Sequence, residues 1–239
     1  MPQKPDYGID APNVVRNLIV IGATLIISGI VFPVIHLGNV ILLWNPGAFW
    51  PGGFCLAEGL AMILYAKWGK FLHRDRMLNM VSWRGNEQVL DVGTGRGLLL
   101  IGVARRLTTG KSVGIDVWST KDLSGNSLAR TQKNVEIEGV NEKVELHSED
   151  ARKLSFPDAS FDVVVSNLCI HNIPGNEGRA QACREIARVL KPGGTALISD
   201  FIKTGFYQKT FAGLGLKTSR TSFNLLTFPW LRVVKVEKQ

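Results

Sequence analysis

The spacing of apolar and polar positions divides the chain into two unlike parts. From Asn17 to Ala57 there is no Asp, Glu, Lys or Arg. Within it, Leu18–Trp44 reads LIVIGATLIISGIVFPVIHLGNVILLW, where only Thr24, Ser28, His36 and Asn39 are polar. About 20 apolar residues cross a bilayer as a helix, so this run is long enough to span one. Pro12 suits a first helical turn. Pro33 lacks an amide hydrogen and predicts a kink or an end near Phe32. The next stretch, Asn45–Gly53, reads as a turn-rich loop, and its aromatic neighbours suit a membrane–water interface. From Phe54 the composition is helical, apolar at first and basic after Lys67, with Glu58 a lone carboxylate in the apolar part. The Lys and Arg residues on this flank predict a cytoplasmic location for it. A hairpin would return the N-terminus to that side, and one kinked span would leave it outside; both readings stand at this point. A signal peptide and a buried helical hairpin of a soluble protein are competing readings of the same run.

From Glu87 the periodicity changes. Short apolar runs predict strands at 88–92, 111–116, 143–147, 161–166 and 195–199, and amphipathic stretches predict helices at 98–107, 127–138 and 178–190. Such alternation implies an α/β fold: a Rossmann-like, mostly parallel sheet with helices on both faces. A helix at 205–214 and strands at 217–224 and 231–237 supply a final antiparallel pair. The expected organisation is a membrane segment over 1–52, a linking or capping helical region over 53–86, and an α/β domain over 87–239.

Composition changes this picture little. The net charge is +8. No basic stripe interleaves with aromatics, so a nucleic-acid partner is not expected, and an anionic lipid surface accounts for the excess as well. Cys55, Cys169 and Cys183 form no CxxC, which argues against a disulfide framework and for a reducing compartment. No His, Cys and carboxylate cluster has ligand spacing, so no metal is expected.

Open α/β sheets bind ligands beyond the carboxyl ends of their strands, and the marked residues fall there. Gly93-x-Gly95-x-Gly97 follows the first strand. Glycine lets backbone approach a ligand that side chains would block. The helix after Gly97 offers amide hydrogens and a positive dipole end. Asp116, ending the second strand, holds the place of the acid that binds ribose hydroxyls in nucleotide folds. A glycine loop alone is shared with dinucleotide folds, so an NAD-dependent oxidoreductase is one reading. Its usual spacing is GxGxxG, which this loop does not follow.

The segment VLDVGTGRG (Val89–Gly97) resembles the first motif of class I S-adenosylmethionine (SAM) dependent methyltransferases. Gly114–Asp116 is similar to their ribose-binding strand end, and Glu149-Asp150-Ala151 to their adenine-contacting corner. Leu154–Asn167 resembles the fourth strand with its approach, and Val189–Gly194 the turn before the fifth. The likeness covers about 87–200 in order, and is greatest to small-molecule methyltransferases of the UbiE and arsenite-methylating kind. It implies that Asp91 and the loop residues Gly93, Thr94, Gly95 and Gly97 hold the methionine part of SAM. Asp116, with adjoining Val117, would take the ribose. Asp150 and Ala151 would read the adenine edge, and Asn167 would sit beside the methionine part. Tyr65, Lys67 and Lys70 are candidates to close the site from above. Methyl transfer from a sulfonium is an in-line displacement, for which the protein supplies position. His171 is the candidate general base, with a loop-stabilising role as the alternative. Little chain remains after the fifth strand to cover the acceptor, so the N-terminal helices are expected to cap the site. They would admit a small, apolar acceptor from a membrane on its cytoplasmic face. A SAM-binding membrane scaffold without catalysis is the further alternative.

Overall fold

A computed structural model describes residues 3–239. Helix α1 (Pro12–Val31) starts with Pro12 in its first turn and ends before Pro33. Strands β1 (Val34–Leu37) and β2 (Val40–Leu43) form a tight antiparallel hairpin, and helix α2 (Trp44–Leu64) follows at once. The expected loop at Asn45–Gly53 is therefore helix. Pro46 sits in the first turn, where its missing amide costs nothing. Pro51 lies inside the helix, where the residue four before it is Gly47, which has no side chain. The long apolar run is correspondingly split: one helix, a short β-hairpin, and the start of a second helix.

Helices α1 and α2 lie antiparallel against each other, Gly22 facing Gly52, Gly29 facing Ala48 and Phe49, and Ile19 facing Gly59. The seam is made of small residues. A Cβ on Gly22 would lie 2.8 Å from the Gly52 carbonyl oxygen, and one on Gly29 would lie 2.6 Å from the Phe49 ring. Close backbone approach through small residues is how helices associate in lipid. The large side chains point the other way: Val20, Ile21, Ile27, Ile30, Trp50 and Phe54 are all exposed. Burying such a side chain is worth about 1.5–3 kcal/mol, so the hairpin presents an apolar surface that the chain itself does not cover. By length and composition, Pro12–Val31 and the continuous helix Trp44–Leu78 are each apolar enough to cross a membrane.

That second helix passes through a π-helical turn at Tyr65–Gly69 into α3 (Lys70–Leu78). Then comes the α/β unit: β3 (Gln88–Val92), α4 (Leu98–Ala104), β4 (Lys111–Asp116), α5 (Leu128–Ile137), β5 (Val144–Ser148), β6 (Phe161–Asn167), α6 (Gly175–Val189), β7 (Leu190–Asp200), α7 (Thr204–Gly213), β8 (Lys217–Arg220) and β9 (Arg232–Glu237). Among the described residues the larger sheet has seven strands, in the order β5-β4-β3-β6-β7-β9-β8. The pairs among β3 to β7 are parallel, and β9 runs antiparallel to both β7 and β8. This is the expected α/β sheet. The Lys191–Gly194 segment, expected as a turn, is absorbed into β7, with a register irregularity opposite Phe161 and Val163.

The central strands β3 and β6 are buried on both faces, which explains their unbroken apolar runs. Leu90, Val164, Ile186 and Tyr207 pack one side, and Met77, Leu78, Val103 and Val233 the other. Met77 and Leu78 thus tie the end of the long N-terminal helix into the core of the α/β unit.

Candidate functional site

The chain reverses direction at the carboxyl end of β3. Gly93, Gly95 and Gly97 all have positive φ, between 54° and 86°, a region that side chains with a Cβ enter at a cost. Space is as limiting as conformation. A Cβ on Gly93 would lie 2.3 Å from Cys169 Sγ, and one on Gly95 would lie 2.9 Å from Leu123. Gly93 and Gly95 line a cavity of about 860 Å³, together with Asp91, Thr94, Asp116, Val117, Asp150, Ala151, Asn167 and His171. The structure brings nearly every expected site residue to one place. Gly97 lies off the cavity wall, and caps α4 at φ 86° against Ile101 and Thr131.

Several of these residues are already engaged with the loop. Asp91 Oδ2 accepts from the Thr94 hydroxyl at 2.8 Å and from the Leu100 amide at 3.0 Å. The first-turn amide of α4 thus meets a carboxylate of the chain itself. Burial pushes the Asp91 carboxyl up to about 7, with the neighbouring Asp116 adding to the rise. Asp116 Oδ2 accepts from the Gly95 amide at 2.7 Å, and its Oδ1 accepts from the Trp118 amide and the Asn126 side chain. A carboxylate has about four acceptor sites, so Asp116 retains capacity for a further donor. Hydrogen bonds from Arg152 lower the Asp150 carboxyl from its ordinary value.

Six buried polar atoms of the cavity-lining residues have no hydrogen-bond partner among the described residues: Asp10 Oδ2, Tyr65 Oη, Asp91 Oδ1, Arg96 Nε, Asn126 Oδ1 and Asn167 Oδ1. A buried polar group without a partner costs about 1–3 kcal/mol, so their gathering around one cavity marks a place for a polar ligand. Glycine backbone that tolerates no Cβ, a carboxylate with spare capacity at a strand end, and orphaned oxygens beside the loop suit a nucleoside bearing an amino-acid tail.

The second half of the cavity was less legible. His171 follows β6 on a short 3₁₀ turn, and its Nδ1 lies 3.0 Å from Asp200 Oδ1. Asp200 ends β7 with its side chain wholly buried. It also accepts from the His171 amide, the Phe201 amide and the Tyr207 hydroxyl. Burial pushes the Tyr207 phenol up, keeping it a donor. With Nδ1 donating to Asp200, Nε2 is the basic nitrogen left to the cavity. Sequence reasoning found His171 and missed Asp200, although an acid ending a strand was the signal that identified Asp116. Cys169 lies beneath Gly93, and burial pushes its thiol up, which suits packing rather than nucleophilic attack.

The N-terminal segment forms part of the roof. Asp6 pairs with Arg96 at 2.8 Å, the Ile9 amide donates to Ser124 Oγ, and Lys70 Nζ donates to the Tyr7 and Gly8 carbonyls. Tyr7 and Asp10 line the cavity, as do Val14 and Leu18 of α1 and Glu58 and Met62 of α2. Of the three residues expected above the site, Tyr65 and Lys70 line it, while Lys67 faces outward. Nothing local in the sequence linked residues 6–10 to the glycine loop, because the contacts bridge some 90 to 130 positions.

Comparison with known proteins agrees with this geometry. The family described as "Methyltransferase domain" matches residues 89–194. The chain is 37% identical to a phosphatidylethanolamine N-methyltransferase of Cereibacter sphaeroides, over 52% of this chain and 55% of that protein. It is 29% identical to the 27-O-demethylrifamycin SV methyltransferase of Amycolatopsis mediterranei, over 61% of this chain and 56% of that one. The chain spans about half the length of such curated relatives. A solved SAM-dependent methyltransferase from Aquifex aeolicus shares the fold with a TM-score of 0.55 at 19% identity, covering 68% of this chain and 88% of that one. Glycine loop, strand-end acid, sheet order and family match converge: residues 89–194 match a methyltransferase-domain family, within a unit that has the fold of solved SAM-dependent methyltransferases.

Proposed function

We propose that this chain transfers a methyl group from SAM to a small apolar acceptor that enters from a membrane. One observation carries the reading: the cavity that Gly93 and Asp116 line is also lined by Val14 and Leu18 of α1 and by Glu58 and Met62 of α2. A site whose far wall belongs to a hairpin with an exposed apolar surface is placed to receive a substrate from lipid. The names of the relatives, one for phosphatidylethanolamine and one for a demethylrifamycin, accord with a small or lipid acceptor.

In this reading the glycine loop, Asp116, Asp150 with Ala151, and Asn167 hold the cofactor, with Asp91 bracing the loop from beneath. Bound SAM supplies a methyl group activated on a sulfonium. The residues of the chain do the rest by positioning. His171 Nε2 takes the proton of the acceptor, and Asp200, fixed by Tyr207 and two amides, holds the proton on Nδ1 and steadies the imidazolium that forms. The hairpin and the 6–10 segment keep water from the reacting atoms. The α1–α2 hairpin acts as the membrane segment, so that the boundary expected at 52 moves to the end of α2; residues 6–10 and 65–86 act as the link and cap, and 87–239 as the catalytic domain on the cytoplasmic side.

Filling the helical end of the cavity tests this. Met62→Trp and Leu18→Trp, in full chain reconstituted in membrane lipid, are expected to abolish methylation of lipid-extractable acceptors and to leave S-adenosylhomocysteine affinity within about twofold. Unchanged methylation in both variants would sink the reading.

A further inference from the structure

Residues 221–231 join β8 to β9 beside the cavity. This loop is well built. The Asn224 amide donates to the Leu231 carbonyl at 2.8 Å, the Thr227 hydroxyl donates to the Asn224 carbonyl at 2.7 Å, and the Leu231 amide donates to Thr227 Oγ1 at 2.9 Å. The Asn224 side chain meets His73 Nδ1 at 3.1 Å, and His73 Nε2 meets Ser199 Oγ at 2.7 Å. The polar groups of the loop are thus satisfied inward, against the body of the domain.

Four of its apolar side chains point outward, while Leu231 is buried. Leu225 and Leu226 are 73% and 72% exposed, and Trp230 and Phe223 are exposed beside them. Arg232 lies over the Phe223 ring at 3.9 Å. The loop also abuts the N-terminal helix: a Cβ on Gly69 would lie 3.1 Å from the Leu226 carbonyl oxygen. On the next stripe of that helix, Leu64, Trp68 and Leu72 are exposed too. The outcome is an apolar surface adjoining the hairpin, carrying two tryptophans and a phenylalanine where the helix passes from apolar to basic. From the same loop, Phe228 and Pro229 turn back to line the cavity.

We propose that this loop, with the Leu64–Leu72 stripe, is a second membrane contact, seated in the interface of the bilayer. The proposal rests on the membrane reading above and adds to it an orientation for the catalytic domain. Aromatic side chains favour the headgroup level, and a monotopic contact buries its apolar face about 5–10 Å into the headgroup and acyl boundary. Arg220 and Arg232 flank the loop, where lipid phosphates lie. Adjacency to the hairpin selects a lipid surface over a second copy of the chain. Seated so, the Phe228–Pro229 side of the cavity faces the leaflet from which the acceptor comes.

Site-specific fluorescence tests this in the full chain, reconstituted in vesicles of phosphatidylcholine and phosphatidylglycerol. In a Cys55→Ala background, an environment-sensitive dye is placed at Leu225→Cys, with Leu226→Cys as a second site. Ile21→Cys in α1 and Asp158→Cys on the domain surface serve as references. Cys169 and Cys183 stay in place, since burial pushes both thiols up. The expected result is a blue shift at both loop sites and loss of emission when nitroxide lipids are added, as at Ile21 and unlike Asp158. If the loop dyes behave like Asp158 while the Ile21 dye is quenched, the loop proposal is overturned and the membrane reading stands. If no dye is quenched, both fall. A blue shift that grows with protein concentration and ignores nitroxide lipid assigns the loop to a second copy and overturns the proposal.

Discussion

At His171 the imidazole is tied through Nδ1 to a carboxylate that three other donors already surround, so its tautomer and direction are set before any acceptor arrives. Asp200→Asn keeps the shape of this group and removes the charge that stabilises the imidazolium. Methyl transfer is expected to fall by about 10²–10⁴-fold in Asp200→Asn and in His171→Ala, the usual worth of a positioned base. S-adenosylhomocysteine binding, measured by calorimetry, should hold. Equal loss of binding in both would point to a structural role instead. Asp91 makes a separate prediction. The unfolded chain ionises it near the ordinary value of 3.8, whereas burial in the folded chain holds the proton to about 7. Between these values the unfolded state binds fewer protons, so the stability that Asp91 contributes is fully present below 3.8 and is lost as pH rises through about 7. Thermal midpoints across that window should therefore decline more steeply in the native chain than in Asp91→Asn, and parallel curves would contradict this. At this scale the sequence was readable wherever a residue type has one local meaning. The glycine loop and Asp116 declared themselves by type and by position at strand ends. Asp200 did not, because its meaning depends on Tyr207 and His171 converging on it.

The helical hairpin shows where reading by element succeeds and where it stops. Pro33 ended α1 where its missing amide required. Pro46 and Pro51 suggested a loop and are instead carried within α2. A local rule gives way there because one proline sits in the first turn and the other lies across from a glycine. The pairing of α1 with α2 rests on Gly22, Gly29, Gly52 and Gly59, a spacing legible only once both segments are known to be helices. Gly52→Leu would force a side chain into the Gly22 carbonyl and Ile26. Overpacking of this kind costs about 1–3 kcal/mol, to be read as a lower unfolding midpoint in lipid or detergent. An unchanged midpoint would mean that the helices do not meet there. In the α/β unit, Gly93→Ala combines a forbidden Cβ position against Cys169 with a positive φ. Such strain is worth of order 1–3 kcal/mol, and S-adenosylhomocysteine affinity is expected to drop about tenfold or more. Retention of full affinity would detach this glycine from the cofactor site.

Over the whole molecule, the α/β sheet was predictable because each strand and helix carries its own period, and parallel order follows from their alternation. The joining of two unlike halves was not. The cavity is shared between strand ends and the N-terminal hairpin, held together by Lys70 reaching the Tyr7 and Gly8 carbonyls and by Asp6 on Arg96, contacts that no local pattern encodes. That shared cavity underlies the central claim, that a SAM-dependent methyltransferase domain here works on an acceptor delivered by lipid. The most direct measurement follows a labelled methyl group from SAM, using the full chain reconstituted in vesicles of membrane lipid extract and offered water-soluble metabolites in parallel. The account predicts label in the organic-extractable fraction, lost in Asp200→Asn. Label found solely in water-soluble products, or none transferred by a chain that binds S-adenosylhomocysteine, would contradict it.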